Sequence, residues 1–156
     1  MPTRRILSIA LLALTSAVAA APLPYNEAAD AQAELDQALA TAARSGRSVL
    51  VVFGANWCED CRALDAALKN PKNAELVSSE FIPVKVDVGN FDRNLTIAAR
   101  YGNPIKKGIP AAVVLSPTDQ VLYATRAGEL STARRMSETG VYEFFRDVAA
   151  SAKAKR

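Results

Sequence analysis

The chain has no histidine, two cysteines, one tryptophan and two methionines among its 156 residues. Without imidazole it has no histidine to act as general base, proton shuttle or metal ligand, which excludes histidine-based hydrolytic triads. A structural zinc site takes four ligands, usually cysteine or histidine, so one copy of this chain cannot close one. Only a site shared between two copies, each giving both cysteines, would have enough sulfur. Copper favours thiolate, thioether or imidazole, and Met136 is the sole methionine besides Met1. No metal and no other cofactor is therefore expected. Beyond the N-terminus no apolar run approaches the ~20 residues of a membrane-spanning helix. Fixed-period repeats and low-complexity tracts are absent, which removes solenoid and disordered architectures. Basic residues are scattered with no aromatic-interleaved basic stripe, so nucleic acid is not an expected partner.

What is present begins with a leader. Arg4 and Arg5 precede an apolar stretch over residues 6–14 and a small, alanine-rich stretch over 15–21. This is the order of a secretory signal peptide, with Val18 and Ala20 suited to the positions three and one before a cut. The sequence thus predicts a signal peptide over 1–20, a domain over 21–156 and an exported, periplasmic location. An uncleaved anchor is the alternative, and the apolar stretch is short for it. The net charge of +3 includes Arg4 and Arg5, and without them the 16 acidic residues nearly balance the basic ones.

Half of the residues are hydrophobic, enough for one domain with its own core. Asn26 is placed to cap a helix running to about Ser45, with Leu35, Ala38, Leu39 and Ala42 on one face and Gly46 ending it. Residues 48–53 form a continuous apolar run, as in a strand buried on both faces. A helix is predicted from near Cys58 until Pro71 interrupts the pattern, and a short helix over 71–79 follows. Residues 81–88 read as a strand with Val84, Val86 and Val88 on one face and Lys85 and Asp87 on the other. A helix over 91–101, strands over 111–115 and 121–125, a polar segment over 129–139 and a last amphipathic helix complete the order. Val141, Phe144, Phe145 and Val148 form the inward face of that helix. The fold class is α/β, with a mixed central sheet flanked by helices.

The two cysteines, Cys58 and Cys61, stand three apart where a strand turns into a helix. Closing so short a loop removes little entropy from the unfolded chain, so the pair asks for a chemical explanation rather than a stapling one. A sulfur at a helix N-terminus meets unpaired N–H groups and the positive end of the dipole, both of which favour thiolate. Cys58 can then attack a disulfide and Cys61 can resolve the mixed disulfide.

The stretch Trp57-Cys58-Glu59-Asp60-Cys61, Lys85 within Val84-Lys85-Val86-Asp87, and Gly108-Ile109-Pro110 occur in an order and spacing that resemble the thioredoxin superfamily over most of the chain. The Asn56-Trp57-Cys58…Cys61-Arg62 pattern is similar to the thioredoxin-like domain at the C-terminal end of DsbD. The resemblance implies a thioredoxin-like fold, protein thiols and disulfides as partners, and Cys58 and Cys61 as catalytic residues. It places Lys85 beneath the active site and implies a cis Ile109–Pro110 bond. Trp57, Ile109 and Pro110 would form the surface where a substrate segment lies. Two departures stand out. The family's buried aspartate, six residues before the first cysteine, is replaced by Val52, leaving Lys85 without its usual partner; Asp87, Glu59 or Asp60 are the candidates to stand in. Glu59 and Asp60 lie between the cysteines, where two carboxylates disfavour a neighbouring thiolate and make the couple more reducing. Lys106 and Lys107 would bring positive charge towards them.

These residues predict an oxidoreductase acting outside the cytoplasm as a protein-disulfide reductase or isomerase rather than a strong oxidant. A membrane thiol reductant of DsbD type would be its electron donor, and the chain is expected to be monomeric. The alternative is a binding module of the same fold with a permanent Cys58–Cys61 bond.

Overall fold

Seven consecutive buried residues, Ser48–Gly54, form strand β1 inside a four-stranded sheet. The structure, a computed structural model, describes residues 22–156, so the expected signal peptide lies outside the described residues. Strand β1 pairs in parallel with β2 (Phe81–Asp87) and antiparallel with β3 (Ala111–Leu115); β4 (Val121–Ala124) pairs antiparallel with β3. The spatial order is β2-β1-β3-β4, a mixed sheet. Helices α1 (Ala31–Ser45), α2 (Glu59–Leu68), α3 (Pro71–Glu80), α4 (Leu95–Arg100) and α5 (Glu138–Ala154) complete the architecture, with short 3₁₀ turns at Pro104–Lys107 and Ala133–Arg135.

Alternation along β1 divides the core in two. Val49, Val51 and Phe53 pack with Leu35, Ala38 and Ala42 of α1. Leu50 and Val52 pack with Leu64 of α2 and Val141, Phe145 and Val148 of α5. Both faces being covered explains why the strand reads as unbroken hydrophobicity rather than as alternation. The cysteines belong to the α1-side cluster.

Helix α1 starts later than expected. Asp30, not Asn26, is its N-cap and accepts the Ala33 N–H at 3.0 Å. Asn26 instead folds the preceding chain into a turn: its side chain accepts from Ala28 N at 3.1 Å and its carbonyl from Ala29 N at 3.2 Å. Both residue types suit a cap, and the earlier one is used to bend the N-terminal segment, whose Tyr25 bonds to Asn56 in the loop before Cys58. Gly46, at φ 71°, ends the helix with its N–H on the Ala42 carbonyl.

The helix expected over 91–101 is reduced to Leu95–Arg100. Phe91 and Asn94 adopt left-handed φ values of 62° and 52°. Asp92 takes the Asn90 N–H at 2.9 Å, and the Asn94 amide donates to the Asp87 carbonyl at 2.7 Å. Such side-chain bonds to backbone compete with helix formation. The resulting loop turns Phe91 outwards, beside Trp57.

Candidate active site

Strand β1 delivers the chain to the site, residues 55–57 turn it, and Cys58 becomes the N-cap of α2. The Cys58 sulfur accepts the Cys61 N–H at 3.1 Å, so it occupies the position of a capping oxygen and meets a free N–H at the positive end of the helix. The two cysteines are joined by a disulfide, their Cα atoms 5.2 Å apart. Cys58 is 6% exposed and Cys61 1%, so Cys58 is the sulfur nearer solvent. The Ile109 carbonyl lies 3.7 Å from the Cys58 sulfur, and the Ile109–Pro110 peptide bond is cis.

Trp57 is half exposed, with its indole N–H donating to the Gly89 carbonyl at 2.9 Å. Phe91 meets it edge to face at 6.2 Å between ring centres. Trp57, Phe91, Ile109 and Arg134 rim an open groove with Cys58 in its lining. The structure therefore brings Trp57, Cys58 and Ile109 together, and adds Phe91 and Arg134.

The charge around Glu59 and Asp60 differs from expectation. Arg134, at the 3₁₀ turn Ala133–Arg135, forms an ion pair with Glu59; its guanidinium is 3.8 Å from Asp60, and its backbone N–H donates to Asp60 at 2.9 Å. Among the described residues, Lys106 and Lys107 form no ion pair with either acid. The segment read from sequence as a polar connection is a built wall of the site. Its start is folded by Glu129, which accepts the Arg126 and Ala127 N–H groups. Burial works against the Glu129 carboxylate, but these backbone bonds outweigh it and hold its pKa below the usual range. Gly128, at φ 79°, lets the loop close on the Lys107 carbonyl, 2.8 Å from where a β-carbon would stand.

Lys85 also has a different partner. It forms an ion pair with Asp65 of α2, four residues after Cys61, and none of Asp87, Glu59 or Asp60 supplies the missing acid. Asp87 is buried and pairs with Arg93 at 3.3 Å, while Glu59 and Asp60 are held by Arg134. Val52 sits opposite Lys85 in the β1–β2 register and is itself buried among apolar side chains. Asp65 bonds to Lys69 as well, at 2.7 Å. Burial opposes its ionisation, yet the hydrogen bonds and charges of Lys69 and Lys85 keep its pKa below the ordinary aspartate value.

Reasoning from sequence missed Asp65, Arg134, Phe91 and Tyr25. For Asp65 a signal existed: it lies one helical turn beyond Cys61, on the face that reaches the sheet. Tyr25 is 5% exposed and is pinned to the active-site loop by Asn56, which accepts its N–H and donates to its carbonyl, both at 2.9 Å.

A mixed sheet with helices on both faces and a disulfide at a strand-to-helix turn define the thioredoxin-like class. The chain matches the Thioredoxin-like family model over residues 30–117 and belongs to that family. It is 52% identical to the disulphide isomerase from Xylella fastidiosa Temecula1, over 83% of this chain and 98% of that one, with a TM-score of 0.81. A thioredoxin from Thermus thermophilus (23% identity, 74% and 81% covered, TM-score 0.52) and a DsbH oxidoreductase (17% identity, 94% and 95% covered, TM-score 0.57) share the fold. No curated protein matches the sequence.

Proposed function

We propose that this chain is a protein thiol–disulfide oxidoreductase that works outside the cytoplasm as a reductase or isomerase. The observation that carries the reading is the placement of Cys58 at the α2 N-terminus, bonded to Cys61 and facing the groove beside Ile109. In the reduced protein the Cys58 thiolate attacks a substrate disulfide, forming a Cys58–substrate bond and releasing one substrate sulfur as thiolate. Cys61 then attacks Cys58, re-forming the Cys58–Cys61 bond and expelling the second substrate sulfur. Trp57, Ile109 and Pro110 hold the substrate segment, and backbone pairing at Ile109 is the natural mode for an extended one. The 52% identity to a protein described as a disulphide isomerase supports protein disulfides as substrates.

Glu59 and Asp60 make the couple more reducing, and Arg134 offsets part of that effect. Turnover as a reductant in an oxidising compartment needs a supply of electrons. The Asn56–Arg62 motif's likeness to the C-terminal domain of DsbD favours a membrane reductant of that type. The leader over residues 1–20 supports export, and the chain acts as a monomer.

Replacing Cys61 with serine removes the resolving thiol. We expect Cys58-linked mixed disulfides with exported proteins, reversed by reductant, and an exchanging couple against glutathione in the unaltered chain. No trapped partner, with a Cys58–Cys61 bond that resists glutathione, would sink the reading in favour of a binding module.

A further inference from the structure

Tyr25 reaches the back of the disulfide from outside the β1–α2 motif. Its ring and hydroxyl fill the space that Gly54 leaves: a β-carbon at Gly54 would overlap the Tyr25 hydroxyl and stand 3.0 Å from the Cys61 sulfur. Hydroxyl and sulfur thus flank one point at the end of β1, in the part of the core that contains both cysteines. The double hydrogen bond with Asn56 fixes the Tyr25 backbone against the loop that carries Cys58. Gly54 has an ordinary negative φ, so what the position requires is room rather than an unusual backbone.

Cys61 is the more buried of the two sulfurs, and burial disfavours its thiolate. The position six residues before Cys58 is the apolar Val52, and Asp65 is bound by Lys85 and Lys69. A phenol suits this place because it stays protonated. Burial pushes the Tyr25 hydroxyl above its ordinary pKa, and the carboxylates of Asp65 and Asp87 push it further. The carboxylates that act on it are Asp65, bound by Lys85 and Lys69, and Asp87, bound by Arg93.

We propose that in the reduced protein the Tyr25 hydroxyl donates a hydrogen bond to the Cys61 thiolate and so activates the resolving step. The inference rests on the oxidoreductase reading above. In that step the Cys61 sulfur bonds to Cys58, the Cys58–substrate bond breaks, and the proton that Cys61 gave up leaves on the substrate thiol. The tyrosine proton is shared in a hydrogen bond and is not transferred. Tyr25 thereby supplies a neutral donor where an ionisable acid is missing from β1.

The test compares the chain with its Tyr25→Phe variant, which keeps the ring and its packing. In a Cys58→Ala background Cys61 is the sole thiol, and its titration is read from thiolate absorbance. Tyr25→Phe should raise the Cys61 pKa by about one unit, a tenfold loss of thiolate at a given pH below it. With Cys58 present, resolution of the glutathione mixed disulfide should slow about threefold, because the more basic Cys61 thiolate is scarcer but more nucleophilic, while the first attack by Cys58 keeps its rate. A fluorotyrosine at position 25, a stronger donor of nearly the same shape, should move the Cys61 pKa down. An unchanged Cys61 pKa in the folded Phe and fluorotyrosine proteins overturns the proposal. A wild-type chain that never exchanges with glutathione refutes the oxidoreductase reading instead, and the Cys61 titration still decides whether Tyr25 bonds to that sulfur.

Discussion

Asp65, one turn of α2 beyond Cys61, binds the ammonium of Lys85, whose Cα lies opposite Val52 across β1 and β2. The acid that neutralises this lysine therefore comes from the helix and not from the strand. Lys85 is partly exposed and Asp65 is mostly covered, so the pair lies between a surface ion pair and a buried one.

Removing the carboxylate should have a pH-dependent cost. Asp65→Asn leaves Lys85 and Lys69 without their shared anion, and a loss of about 1 kcal/mol is expected at neutral pH. The folded pKa of Asp65 is lowered, so its contribution is complete above the unfolded value near ~3.9 and fades as pH falls through the lower folded value. Urea unfolding of the chain and of Asp65→Asn should give curves separated at pH 7 that converge in strong acid. Equal stabilities at pH 7 would show that the pair contributes nothing.

Arg134 is the counter-charge to the dipeptide between the cysteines. Arg134→Ala frees the Glu59 and Asp60 carboxylates beside Cys58, disfavouring its thiolate and making the couple more reducing. Glu59 and Arg134 are both largely solvated, with side chains 65% and 49% exposed, so the effect is modest. A potential about 10–20 mV more negative is expected, the equivalent of a weak ion pair for a two-electron couple. Equilibration with glutathione at low salt measures it, and added salt should shrink the difference. A shift to a more oxidising potential would contradict this electrostatic account.

The contrast between these two pairs shows which parts of the molecule could be read from sequence. Short-range signals worked: the apolar run of β1, the Gly46 stop and the cysteine spacing each depend on residues adjacent in the chain. Asp65 and Lys85 are 20 residues apart, and Arg134 is 75 from Glu59. Their pairing depends on how α2 lies on the sheet and on how the chain after β4 returns to the site. Charged residues carry no periodic mark of their partners, so Asp87, Glu59 and Asp60 stood as equal candidates for Lys85 while Asp65 was passed over. Tyr25 was hidden for a related reason. It lies in an irregular segment before α1, and bonds to Asn56, 31 residues away in sequence, fix it to the loop before Cys58. The start of α1 was misplaced because Asn26 and Asp30 are both good caps, and local chemistry does not rank them.

Phe91 offers a way to separate sulfur chemistry from substrate recognition. It is 43% exposed, stands at a left-handed φ of 62°, and packs edge to face on Trp57 at the rim of the groove. A β-carbon-bearing residue at positive φ carries strain, and here that strain comes with a large apolar ring held at the surface. Removing the ring exposes little new core, so Phe91→Ala should leave folding nearly unchanged, while Phe91→Gly should be at least as stable through relief of the backbone. A small disulfide such as glutathione needs only the sulfur and the nearby backbone, so its exchange rate should stay within about twofold. On the proposed function an unfolded protein disulfide would use the aromatic rim as well; losing a contact of about 1–1.5 kcal/mol should then lower its kcat/KM roughly five- to tenfold, mainly through KM. Parallel assays of Phe91→Ala with both substrates check this. Equal losses on glutathione and on the protein substrate would mean that Phe91 supports the active-site loop and does not hold substrate.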